Sequence, residues 1–143
     1  MKTKFIFFVL ALLATGCSKP LVAIPFDKPD TKSINFSIAE PMTLSFWTSL
    51  NTEYDGAIDL SYNITLALDG TPLPNTVCHA FNVDMRINSM TTSFNDHHSV
   101  KYLGRMKCNV SIPGPGDIRG QVSFAIAPDN ASVKILSADL QIK

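Results

Sequence analysis

From Ile58 to Leu68 an apolar residue occupies every second position. Ile58, Leu60, Tyr62, Ile64, Leu66 and Leu68 alternate with Asp59, Ser61, Asn63 and Thr65. A period of two places one set on each face of an extended strand, whereas a helix needs a period of 3.6. An apolar set facing a hydroxyl and amide set marks an antiparallel strand that is wet on one side. The same period recurs downstream of residue 32. Ile34, Phe36 and Ile38 share a face, as do Met42, Leu44, Phe46 and Leu50. Val77, His79, Phe81, Val83, Met85 and Ile87 alternate next, followed by shorter runs at Met90–Phe94, Val100–Leu103 and Met106–Ile112. Ile118, Val122, Phe124 and Ile126 form another face, with Gly120 read as a bulge. In the last run Val133 and Ile135 have one parity, and Leu136, Ala138, Leu140 and Ile142 have the other. That slip predicts a bulge near Ile135–Leu136. Asp69-Gly70, Pro113-Gly114-Pro115-Gly116 and Pro128-Asp129-Asn130 punctuate the runs as turns. No ten-residue stretch after residue 17 keeps a helical stripe. The expectation is an all-β fold: an antiparallel β-sandwich, or a flattened barrel, of about 7–9 strands. A buried Trp between paired cysteines, as in immunoglobulin domains, is missing, because Trp47 precedes both.

The first 16 residues have a different character. Lys2 and Lys4 precede an unbroken apolar run from Phe5 to Ala14, and the small residues Thr15 and Gly16 stand directly before Cys17. A run of this length falls short of the roughly 20 apolar residues that a spanning helix needs, and it fits the core of a cleaved export signal. Leu13-Ala14-Thr15-Gly16-Cys17 resembles the lipobox of bacterial lipoproteins. The resemblance covers residues 1–17 and gives an address and an anchor, with no statement about the domain that follows. It implies cleavage before Cys17, a diacylated thiol, and attachment to a lipid bilayer through the acyl chains. Two chains suffice for stable attachment where one is marginal. Ser18, in place of an aspartate, implies the outer membrane, with the domain facing the periplasm. An ordinary secretory signal is the alternative, since Ala14-Thr15-Gly16 also suits that peptidase. It would leave three cysteines in an oxidising compartment, one of them unpaired. The resulting organisation is a signal peptide at 1–16, a lipidated tether at 17–32 rich in proline (Pro20, Pro25, Pro29), and one β domain at 33–143.

With Cys17 acylated, Cys78 and Cys108 remain as an even pair, and a disulfide is expected. Closing a loop of about 30 residues corresponds to roughly 3–4 kcal/mol in the loop-entropy account. Twelve basic residues balance twelve acidic ones. Lys2 and Lys4 fall in the leader, so the exported chain is slightly acidic. Nucleic acid is therefore not an expected partner, and no run of Lys or Arg follows Cys17 to attract anionic head groups.

Candidate chemistry is sparse. Asp96-His97-His98 is the one metal-like cluster. Neighbouring side chains on a strand point to opposite faces, and a zinc site needs three or four ligands, so an exposed hairpin loop at Asn95–Ser99 is the plainer reading. No Gly-x-Ser-x-Gly elbow occurs, and no metal or other cofactor is expected. Trp47 falls on the polar face of its strand with Thr43, Ser45 and Ser49. There it is either covered by the tether or a loop, or serves as a binding anchor joined by Tyr54 from the loop that follows. The expected role is non-enzymatic binding of a protein partner. By architecture the chain resembles small periplasmic β-sandwich lipoproteins, among them immunity proteins that neutralise a toxic effector. The alternatives are a carbohydrate- or peptidoglycan-binding module and an accessory lipoprotein of envelope or secretion machinery.

Overall fold

The computed structural model describes residues 19–143. The expected leader, residues 1–16, and Cys17 lie outside them. The chain forms ten strands: β1 (Val22–Ile24), β2 (Asp30–Ile38), β3 (Met42–Asp55), β4 (Asp59–Leu68), β5 (Thr71–Pro72), β6 (Thr76–His79), β7 (Val83–Phe94), β8 (His97–Ile112), β9 (Gly116–Ala127) and β10 (Val133–Ile142). All strand pairs are antiparallel. One sheet runs β1-β10-β3-β8-β7; the other runs β2-β9-β4-β5, with β6 also paired to β4. Both are open, with β7 an edge of the first. Ten strands exceed the expected seven to nine. β1 and β5 are three and two residues long, too short to declare a period.

β4 meets its expectation: Leu60, Tyr62, Ile64 and Leu66 are all buried. They join Leu44, Phe46 and Leu50 of β3, Ile118, Val122 and Phe124 of β9, and Leu140 and Ile142 of β10 in a single apolar cluster fed by both sheets. The segment expected as a tether supplies Ile24 and Phe26 to that cluster. Phe26 packs against Tyr62 and Phe124 at ring-centroid distances of 6.0 and 5.5 Å. Its carbonyl accepts the Ala138 N–H at 3.0 Å.

Two links join the sheets inside the core. Cys78 of β6 and Cys108 of β8 form a disulfide, with Cα atoms 5.6 Å apart. Tyr62 of β4 donates its hydroxyl hydrogen to the Ala138 carbonyl of β10 at 3.2 Å, and Thr48 of β3 donates to the Tyr62 oxygen at 2.8 Å. Burial raises the Tyr62 pKa, so the phenol stays protonated and keeps its donor. Removing that hydroxyl leaves Thr48 and a carbonyl unpaired out of reach of water, a loss of about 1–3 kcal/mol. Tyr62→Phe is expected to lower the urea midpoint accordingly. An unchanged midpoint would show that the network contributes nothing net.

Several local expectations resolve clearly. A register shift between Ile135 and Ser137 carries the slip in β10. Asp69-Gly70 turns the chain from β4 into β5, with φ of 47° and 84°. Gly120 is no bulge. It pairs in register with Ile34 on one side and Leu66 on the other, and its lack of a Cβ serves a close approach to the Thr65 carbonyl. The run Val77–Ile87 is not one strand. It breaks at Ala80–Asn82, where the chain leaves the second sheet (β6) for the first (β7). Met90–Phe94 belongs to the same β7, and the two short runs after it are one 16-residue β8.

Candidate functional site

The outer face of the first sheet is assembled by register alone. Trp47 of β3 lies between Gln141 of β10 and Arg105 of β8, and Arg105 lies beside Met85 of β7. One step along are Ser49, Leu103 and Ile87, then Asn51, Lys101 and Met90, and at the far end Asp55, His97 and Phe94. β7 therefore turns Met85, Ile87, Met90 and Phe94 outward together. They are 43, 41, 66 and 78 % exposed. Contiguous exposed apolar groups of this kind mark interaction surfaces.

The expected alternating face of Val77–Ile87 is thus split: Phe81 and Val83 pack against the core, and the other four face out. Cys78 and Ala80 point into the core, while Val77, His79, Met85 and Ile87 face out. In β6 the disulfide fixes that choice, because Cys78 must reach Cys108 between the sheets, and in β7 the register shift between Val83 and Met85 turns Met85 and Ile87 outward. β7 is paired only on its β8 side, and an edge presents free backbone donors and acceptors. Register shifts between Val83 and Met85 and between Ile87 and Met90 twist it, with Asn88 at φ 55°. Met90–Phe94 then runs regularly to the Asn95-Asp96 turn.

Trp47 is half-buried on this face. Lys143 Nζ stands 4.4 Å from its ring centre and the Arg105 guanidinium 6.0 Å. Arg105 Nε donates to Asp84 at 2.8 Å, and this bond holds the Asp84 carboxyl below the usual carboxylate range. A groove of about 460 Å³ beside the pair is lined by Thr43, Ser45, Lys107 and Asn109.

Tyr54 does not join Trp47. Seven positions along β3 it has the opposite parity and turns to the inner side, against Phe81 at 5.6 Å and His98 at 5.0 Å. Seven residues of strand separate the two by roughly 23 Å. The histidines also have separate partners. His97 Nδ1 bonds Asp55 at 2.8 Å, His98 Nδ1 lies 2.9 Å from Ser93 Oγ, and His79 Nδ1 bonds Asp59 at 2.9 Å. Both His97 and His98 belong to β8, so the loop expected at Asn95–Ser99 is shorter, Asn95-Asp96 alone. Among the described residues no three His, Cys, Asp or Glu side chains converge as metal ligands.

No protein-family model, no curated protein and no solved structure matches the chain.

Proposed function

We propose that this chain is a lipid-anchored, periplasm-facing binding protein of the outer membrane, acting as an immunity or inhibitor protein, whose two sheets pack as a β-sandwich. The shared core, the disulfide and the Tyr62–Thr48 contact between the sheets support the sandwich. The lipobox-like Leu13–Cys17 supports the anchor.

The partner-binding surface is β7 with the adjoining outer face of β8. The observation that carries this reading is the outward row Met85, Ile87, Met90 and Phe94 on a strand with an unpaired edge. Lys101 and Leu103 border the row on β8, so the complementary partner is a protein with an apolar patch and an acidic group placed to meet Lys101. Support for a protein over a glycan comes from Trp47: Lys143 already stands over its ring, where a sugar would stack.

Met90 and Phe94 are the test positions, since their exposure lets them change with little effect on the core. Lipidated protein carrying Met90→Asp and Phe94→Asp is expected to bind the envelope or effector protein captured by wild type at least tenfold more weakly, about 1.4 kcal/mol, with an unchanged circular dichroism spectrum. Undiminished binding would move the surface elsewhere. Capture of peptidoglycan fragments and no protein would replace the reading with a glycan-binding one.

A further inference from the structure

We propose that the corner of the first sheet carrying Leu21, Trp47, Lys107 and Lys143 is a docking patch for an anionic phospholipid surface, and that it sets the domain's orientation on the membrane that holds it. The proposal rests on the anchoring at Cys17 proposed above, and the geometry of the chain entry carries it. Leu21 donates its N–H to the Ile142 carbonyl at 2.6 Å, and Val22 pairs with Ile142. The chain therefore joins the body at one fixed corner, beside β10. Cys17 stands four residues before Leu21, so an acylated Cys17 holds this corner within about 14 Å of the lipid.

What occupies the corner suits that neighbour. Leu21 is 43 % exposed. Lys143 exchanges two backbone hydrogen bonds with Ser45 and extends its ammonium over Trp47. Trp47 is on β3, two strands from β1 and so roughly 10 Å away. Lys107 is exposed in the adjoining groove. Arg105 adds a guanidinium but shares its charge with Asp84. An indole under one ammonium, with a second exposed lysine in the adjoining groove and an exposed leucine at the same corner, is the chemistry of the bilayer interface, where aromatic rings lie at head-group depth and lysines meet phosphates. No stretch of sequence announces it, because the residues come from four separate segments that only sheet register brings together. Orientation follows. Phe94 pairs with His97, eight positions along β8 from the Arg105 level, or about 26 Å. With the corner on the lipid, the distal half of the β7 row stands clear of it.

Trp47 is the chain's one tryptophan, so its fluorescence reports this site alone. The full lipidated chain would be reconstituted into vesicles of three parts phosphatidylethanolamine to one part phosphatidylglycerol, with and without brominated acyl chains. The mass of its N-terminal peptide would be measured on the same sample. The expected result is an acylated Cys17, a blue-shifted Trp47 emission, and at least twofold quenching by the brominated lipid. The Lys107→Gln, Lys143→Gln double variant is expected to lose at least half of that quenching. An acylated protein with unquenched Trp47 overturns the docking patch and leaves the anchor standing. An unacylated Cys17 overturns the anchor, and the patch with it. Quenching indifferent to the lysine changes overturns the role of anionic lipid.

Discussion

Gly120→Ala is expected to be among the most damaging single substitutions in the chain. A Cβ built on Gly120 would lie 1.9 Å from the Thr65 carbonyl oxygen and 3.0 Å from the Leu66 Cα. Both are backbone atoms of β4, so no side chain can rotate away. β9 is held between β2 and β4 by ten register pairs on the β4 side and nine on the β2 side. Relief therefore means parting a central ladder of the second sheet. Overpacking costs roughly 1–3 kcal/mol where side chains can yield, and this position belongs at or above the upper end. Thermal unfolding of the variant is expected to shift down by about 10 °C or more. A shift of only one or two degrees would mean that β4 and β9 have slack at this point.

Removal of the Cys78–Cys108 disulfide is the second large effect. The bond joins the two sheets where the chain crosses between them, and Cys78 is fully buried. Cys78→Ala with Cys108→Ala is expected to cost about 2–5 kcal/mol, as for native bridges in small exported domains. Urea denaturation with the linear extrapolation measures it. Part of the loss acts through the unfolded chain, whose loop is no longer closed. The double variant should therefore keep its folded-state spectrum while its midpoint falls. An unmoved midpoint would show that core packing alone sets the stability.

Much of this architecture was legible because the period of two survives wherever one face is buried. β4 is the clearest case, and the parity slip at Ile135–Leu136 located a real bulge. Period, however, identifies a strand without saying which face meets the core. Val77, Met85 and Ile87 alternate as cleanly as Leu60, Tyr62 and Ile64, yet they face outward. Cys78 and Ala80, two small residues of the other parity, hold the inner side. Phe81 and Val83 of the same run do reach the core, and a register shift after Val83 sends Met85 and Ile87 outward, so the interface signal becomes visible only once the register and the sheet order make β7 an edge. Thr48 and Thr52 escaped notice for the converse reason. They are fully buried with hydroxyls satisfied by Tyr62 and the Lys134 carbonyl, so polarity misstates their position. The pairing of Trp47 with Tyr54 failed on parity: an odd number of positions separates them on β3, which puts them on opposite faces.

The order β1-β10-β3-β8-β7 also defines a path for mechanical tension. In the proposed setting one end of the path, β1, is tied to a membrane, and the other, β7, is gripped by a partner. While β1 stays paired, a pull between them crosses the first sheet; once β1 peels, the load passes through residues 25–29 into β2 of the second sheet. Along that path β3 and β8 share thirteen register pairs, whereas β1 and β10 share three. The short ladder yields first. Peeling it frees residues 19 to 29, whose contour is roughly 35 Å at full extension, at the cost of pulling Ile24 and Phe26 out of the core. The Cys78–Cys108 bond lies beyond the break and keeps the two sheets together. The three-residue strand is thus a mechanical fuse: it lets the domain travel away from the bilayer under load while the β7 surface keeps its shape.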